Sequence, residues 1–332
     1  MAARGGVVNE IICGDALTVM RAMPAEIADC IVTSPPYWRM RDYGHPKQIG
    51  TEATMEEYIG NICEIFREAK RVLKSDGTLW LNLGDGYVGK GGHSHPNGFE
   101  RIHRNRQIPR GCSRWGGGNA TVPGLAYKCL IGMPWRIALK MIDTGWILRR
   151  DIIWHKTNPL PESVTDRPVT AHEYLFMFSK APRYYYDADA VRSPYSAASQ
   201  ERLRYPIVNT CDTYGRHKPE YKKTGISLRT IPLNPLGKLL GSVWKIPTRP
   251  FKGPHFSTYP EELIRPCILA GSPEGGIVLD PFMGSGTTAV CALKHGRNYI
   301  GIELVPKNIE ISQRRIDAVK KNIQPKLQII WK

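Results

Sequence analysis

The segment GGIVLDPFMGSGTTAVCALKHG, residues 275–296, constrains the fold more than any other stretch of the chain. Its short apolar run reads as a buried strand, its glycines as a tight turn, and the residues after them as a helix. RNYIGIELV, residues 297–305, follows as the next strand. Strand, helix and strand in that order imply parallel pairing with a helical crossover. The same alternation recurs upstream in VVNEIICGDAL, in ADCIVTSPPY and in SDGTLWLNLGD. Between them Met55, Tyr58, Ile59, Ile62, Ile65, Phe66, Ala69, Val72 and Leu73 recur at spacings of three and four, the stripe of an amphipathic helix. MPWRIALKMIDTG reads as a helix, WILRRDIIWHK and EYLFMFSK as strands, and VPKNIEISQRRIDAVKKNI as a closing helix. The expected class is α/β: a doubly wound, mostly parallel, Rossmann-like sheet with helices on both faces.

Two stretches interrupt this pattern, and both are basic. Residues 86–128 are glycine-rich and hold Lys90, Arg101, Arg104, Arg106, Arg110, Arg114 and Lys128 against the single acid Glu100 within that run of cations. Residues 187–250 hold eleven Lys and Arg among Pro, Tyr and Ser. Long inserts of this kind in a compact domain are functional loops, separate modules or solvated linkers. The reading that follows is a discontinuous domain, residues 1–186 and 251–332, interrupted by a small module or extended lobe at 187–250. Over 332 residues the net charge is +16, which makes a polyanion the first partner to consider. The 8 cysteines form no C-x-x-C pair, so neither a metal site nor a redox dithiol is expected, and the thiols read as reduced in a cytosol. No apolar run approaches the roughly 18 residues of a membrane span, and MAARGGVVNEII turns polar at once, so a membrane or secreted protein is not expected.

Chemistry concentrates at two turns. In the first, Thr33-Ser34-Pro35-Pro36-Tyr37-Trp38, the prolines remove two N–H donors and leave carbonyls that can only accept. Ser34 adds a side-chain acceptor, and Tyr37 and Trp38 add flat faces. Acceptors beside an aromatic face suit an exocyclic amino group on a planar base; the alternative is a Pro-Pro turn with an aromatic in the core. The second turn, Asp280-Pro281-Phe282-Met283-Gly284-Ser285-Gly286, lets backbone approach a ligand closely, with Glu303 at the end of the next strand placed to accept from a ribose. This suits a nucleoside-type cofactor; the alternative is a plain strand-to-helix turn. Only about a helix and a strand remain after Glu303, too little for the rest of a dinucleotide domain.

In this order, TSPPYW and DPFMGSGTT resemble the catalytic and cofactor motifs of the β class of S-adenosylmethionine-dependent DNA amino methyltransferases. The resemblance extends through GDAL, RVLKSDGTLWLNLGD, TGWILRRDIIWHKTN, RPVTAHEYLFMFSK, HFSTYPEEL and YIGIELVPKNI, nearly the whole chain. It implies a catalytic set of Ser34, Pro35, Pro36 and Tyr37, and a target-recognition region at 187–250. It implies a cofactor site formed by Asp15, Asp280, Pro281, Phe282, Gly284, Ser285, Gly286 and Glu303. Asp15 resembles the acid that contacts the cofactor adenine, and it reads equally as a helix N-cap. His255, Ser257 and Pro260 match the motif bordering the methionine end; His155 and Lys156 line the base pocket, touch a phosphate or lie at the surface. The implied partner is double-stranded DNA with its target base flipped out, and the implied biological partner is a separate restriction endonuclease, although such enzymes also act alone. In relatives, S/T-S-P-P-Y goes with N4-cytosine methylation and D-P-P-Y or N-P-P-Y with N6-adenine. The rival readings are N6-adenine methylation, an RNA or small-molecule methyltransferase, and a nucleic-acid-binding protein without catalysis. Oligomeric state stays open, since no heptad seam is present.

Overall fold

A computed structural model of the chain describes residues 8–41, 43–89, 121–198, 201, 207–208, 228–229, 234–249 and 259–328. Its elements run β1 (Glu10–Cys13), α1 (Ala16–Ala22), β2 (Ala28–Thr33), α2 (Met55–Val72), β3 (Leu73–Leu83), α3 (Met133–Asp143), β4 (Ile147–His155) and β5 (His172–Ser179). They continue with β6 (Ile207–Val208), β7 (Leu228–Arg229), β8 (Val243–Lys245), α4 (Glu261–Gly271), β9 (Ile277–Asp280), α5 (Thr287–Lys294), β10 (Asn298–Glu303) and α6 (Pro306–Gln328). Eight strands form one sheet in the order β1-β10-β9-β2-β3-β5-β4-β8. The β1, β10, β9, β2 and β3 neighbours all pair parallel, as does β4 with β8. β5 alone runs against both its neighbours, β3 and β4. The sheet is thus mostly parallel, as the alternation of elements requires.

Parallel strands that share a direction bring their carboxyl ends to one edge. Cys13, Thr33, Leu83, Asp280 and Glu303 all stand there, and β5, running the other way, brings its first residues to the same edge. The two motif turns adjoin because β2 and β9 are neighbours, with Ile31 opposite Leu279.

α2 shows why the helical stripe forms where it does. Thr54 caps it by accepting from the Glu57 N–H while the Glu57 carboxylate accepts from the Thr54 N–H, so two orphan donors are satisfied. Met55, Tyr58, Ile62, Ile65, Phe66, Ala69 and Val72 are then buried against the sheet; Ile59 is half-buried, and Leu73 already begins β3. α4 is not among the periodic segments, and it carries Pro266 in its interior. Proline there forfeits one helical bond. Leu263, Ile264, Cys267, Ile268 and Ala270 are buried, and that packing outweighs the lost bond. Burial pushes the Cys30 and Cys291 thiols up to about 12 and Cys63 up to about 11, so these thiols stay protonated and act as small apolar groups.

By compactness the chain divides into Met1–Asp187 with Ser242–Lys332, and Ala188–Gly241. The smaller unit holds the antiparallel pair β6 and β7 and a bridge between Ser193 and Lys238, fastened by the Arg192 guanidinium donating to the Gly237 carbonyl at 2.9 Å. In the larger unit the glycine-rich insert is closed at its base: Val88 N–H donates to the Cys129 carbonyl at 2.9 Å and Ile131 N–H to the Gly86 carbonyl at 2.9 Å. The cations Lys90, Arg101, Arg104, Arg106, Arg110 and Arg114 lie outside the described residues, as do His255 and Ser257. Among the described residues no helix is long and apolar enough to cross a membrane.

Candidate functional site at the carboxyl edge of the sheet

The turn after β9 is organised around one buried carboxylate. Asp280, 1% exposed, accepts four hydrogen bonds. Thr33 Oγ1 (2.6 Å) and the Phe282 N–H (3.0 Å) reach Oδ1, while Thr288 Oγ1 (2.5 Å) and the Tyr259 hydroxyl (3.0 Å) reach Oδ2. Burial pushes this carboxyl above the usual range, and the four donors pull it back toward ionisation. Asp280 therefore holds the turn from beneath, and through Thr33 it ties the two motifs together.

The glycines of this turn do different work. Gly284 has φ 54° and donates its N–H to Glu303 Oε2 at 2.7 Å. Gly286 has φ 80°, caps α5, and would place a Cβ 2.6 Å from the Ser312 Cβ, so it packs against α6. Arg315 on α6 donates to the Ser285 carbonyl (2.7 Å), Ser285 Oγ (3.0 Å) and Thr287 Oγ1 (3.0 Å), clamping the turn from behind. Glu303 is nearly buried, and Oε1 also accepts from the Val305 N–H (2.8 Å) and Asn308 Nδ2 (3.2 Å). Burial raises its carboxyl above the ordinary glutamate value.

A cleft of about 860 Å³, counted out to its open mouth, joins the two turns. Asp15, Ser34, Pro36, Pro281, Phe282, Gly284, Ser285 and Glu303 line it. Pro35, Tyr37, Asp280 and Gly286 do not line it but sit beside or beneath those that do. Asp15 is the N-cap of α1: Oδ1 accepts from the Thr18 N–H (2.8 Å) and Thr18 Oγ1 (2.7 Å). It also lines the cleft, so both readings of this residue have a place in the fold. The lining fits a nucleoside-type ligand: a recessed carboxylate able to accept from hydroxyls, an aromatic side chain, and backbone brought close by a positive-φ glycine.

The turn after β2 is held from afar. Tyr58 on α2 donates to the Pro36 carbonyl at 2.9 Å. The Tyr37 hydroxyl lies 2.8 Å from Glu173 Oε2 and 3.1 Å from Asn82 Oδ1, and Ser34 Oγ donates to it at 3.3 Å. Lys156 completes the cluster, its Nζ 2.5 Å from Glu173 Oε1 and 5.0 Å from the Trp154 ring centroid. Burial, reinforced by the Glu173 charge, pushes the Tyr37 phenol well above its ordinary value, so it stays protonated. Gly84 gives the tyrosine room, since a Cβ there would stand 2.7 Å from Tyr37 Cε2.

Sequence reasoning misses Tyr58, Asn82, Gly84 and Glu173 as parts of this site, together with Tyr259, Thr288 and the cleft-lining Tyr43, Lys47, Gln48 and Ile49. Tyr259 and Thr288 stand inside motifs already singled out, HFSTYPEEL and GSGTT. Asn82 and Glu173 stand near strand ends that only the sheet order brings to Tyr37.

The DNA methylase family profile matches residues 28–314. The chain is 41% identical to type II methyltransferase M.Cfr9I of Citrobacter freundii, over 93% of this chain and 88% of that one. It is 39% identical to M.SmaI of Serratia marcescens, over 92% and 90%. Among solved structures it is similar to PvuII DNA methyltransferase (cytosine-N4-specific), with TM-score 0.60 and 17% identity, covering 95% of this chain and 91% of that one. It is also similar to a putative DNA modification methylase of Thermus thermophilus complexed with S-adenosyl-L-methionine, with TM-score 0.53 and 23% identity over 92% and 94%. The structural likenesses speak for a shared fold, and the family match, spanning both turns and most of the sheet, speaks for more than that. The chain belongs to the DNA methylase family of N6 and N4 amino methyltransferases.

Proposed function

We propose that this protein transfers a methyl group from S-adenosylmethionine to N4 of a cytosine flipped out of double-stranded DNA, as the modification partner of a separate restriction endonuclease. The observation that carries this reading is that Ser34, a side-chain acceptor next to two prolines, lines the same cleft as Phe282 and Glu303. The cytosine-N4 specificity of the PvuII enzyme and the type II relatives from Citrobacter and Serratia support it.

When bound, the cofactor supplies an electrophilic methyl group on a sulfonium. Glu303 accepts from its ribose hydroxyls, Asp15 from its adenine, and Pro281, Phe282, Gly284 and Ser285 shape the walls around it. Asp280 and Gly286 keep those walls in place from beneath.

An aromatic amine is a weak nucleophile because its lone pair is delocalised into the ring. Ser34 Oγ and the Pro35 carbonyl accept its two N–H hydrogens, which favours a pyramidal nitrogen with its lone pair free. The base rests against Tyr37, whose hydroxyl is tied down on its inner side. Rate comes from positioning and from polar groups arranged beforehand. No cysteine takes part. Arg and Lys of 86–128 and 187–250 contact phosphates, giving an affinity that falls steeply with salt.

The test is expression in a host without DNA methylation, followed by mass spectrometry of the genomic nucleosides. N4-methylcytosine is the expected product. N6-methyladenine would overturn the assignment of the base while leaving the amino-acceptor chemistry; neither product, with cofactor binding intact, would overturn DNA as the substrate.

A further inference from the structure

The side chains behind Ser34 form a chain of hydrogen bonds whose direction matters to the reaction. Serine, tyrosine and asparagine can each donate or accept, so geometry alone leaves two directions open. If Ser34 pointed its hydrogen at the amine it would compete for the nitrogen lone pair; if it points inward, it offers lone pairs to the amine hydrogens.

Three contacts select the second arrangement. Lys156 Nζ can only donate, and it stands on Glu173 Oε1 at 2.5 Å, keeping that carboxylate an acceptor. Asn82 Nδ2 lies 3.1 Å from both Glu173 Oε2 and the Tyr174 carbonyl. Both partners only accept, so the amide is fixed with Oδ1 toward Tyr37, at 3.1 Å. The Tyr37 hydroxyl is then faced by two acceptors, Glu173 Oε2 at 2.8 Å and Asn82 Oδ1, and its one hydrogen is committed to the nearer, charged one. Its oxygen accepts from Ser34.

We propose that the Lys156–Glu173 ion pair, acting through Tyr37 and Asn82, sets the hydrogen-bond polarity of Ser34 so that this side chain meets the target amine as an acceptor. Glu173 and Lys156 are positioning residues: they touch neither base nor cofactor, and their effect is read at Ser34. The pair is well placed to hold its geometry, since the two side chains are only 22% and 16% exposed. This rests on the role of Ser34 proposed above.

Single-turnover methylation of a DNA fragment carrying the cognate site, with cofactor and DNA affinities measured separately, tests the relay. Glu173→Gln puts a donor among donors and scrambles the chain; its transfer rate falls about a hundredfold while both affinities stay within about twofold. Lys156→Met lowers the same rate. Tyr37→Phe cuts the chain with little change of shape, and the double variant Tyr37→Phe with Glu173→Gln is no slower than Tyr37→Phe alone, because Glu173 acts only through that hydroxyl. A merely structural Glu173 would give losses that multiply, or affinities and melting temperature that fall with the rate. Either result overturns the relay, as does full speed in Glu173→Gln when Ser34→Ala is slow. Full speed in Ser34→Ala itself would instead overturn the reading of Ser34 on which the relay rests.

Discussion

The two turns that meet in the cleft are built on opposite plans. The turn after β9 is partly self-contained: Asp280 holds Phe282 and Thr288 within eight residues of itself, while Thr33, Tyr259, Glu303 and Arg315 join from farther along the chain. The turn after β2 spends its backbone on prolines and imports its support, from Tyr58 on α2, Asn82 on β3 and Glu173 on β5. A turn that binds a constant ligand can be built locally. On the function proposed above, the turn that holds the reacting amine depends on α2, β3 and β5 for the direction of its hydrogen bonds.

The comparison breaks most visibly at Asp280. Asp280→Ala leaves the hydroxyls of Thr33, Tyr259 and Thr288 and the Phe282 N–H without their acceptor, and costs about 3–5 kcal/mol of stability together with cofactor binding. Denaturant unfolding and calorimetry with the cofactor check both. Ser34→Ala, on the other turn, leaves the melting temperature in place and lowers the transfer rate by roughly a hundredfold or more, read in single-turnover assays.

Glu303 sharpens the contrast through pH. Its carboxyl is raised by burial above the ordinary 4.5 and so takes up a proton earlier on acidification. A protonated oxygen stops accepting, so cofactor affinity falls as pH drops through the raised value and recovers above it. Stability moves the other way: a group with raised folded pKa favours the fold at low pH and loses that contribution as pH rises through the folded value. Calorimetric titration and melting across this window should therefore trend in opposite directions, and Glu303→Gln should flatten the binding curve and remove its own share of the melting trend while weakening cofactor binding about tenfold. The smallest effect is expected remote from both turns. Thr54→Ala removes one arm of the α2 capping box and costs about 1 kcal/mol, with the transfer rate unchanged.

The same contrast explains what could be read in the chain before its structure. The βαβ unit ending in Glu303 is legible because strand, glycine turn and helix are consecutive, and the α2 stripe because its apolar spacing is regular. Ser34 and its prolines are legible as chemistry. Glu173 is not, because nothing local distinguishes it from an exposed acid at the start of a strand. Its role depends on β5 running against its neighbours, which places the first residues of that strand beside the last of β3, where Leu83 pairs with Tyr174. α4 hides for another reason: Pro266 argues locally against a helix that only tertiary packing sustains. Lys156 is visible as a basic residue after a strand, but its commitment to Glu173 follows from the pairing of β4 with β5.

The clasp at the base of the glycine-rich insert has an evolutionary consequence. Because Gly86, Val88, Cys129 and Ile131 bind one another across its ends, the two ends of the span are held to a common frame. The entropy of closing such a span grows only slowly with its length. A change in the length of the span is therefore expected to leave undisturbed Asp85, which caps α3 beside the clasp by accepting from the Gly132 and Met133 N–H groups. New contact surfaces can thus be tried out on this chain while its chemistry is inherited intact.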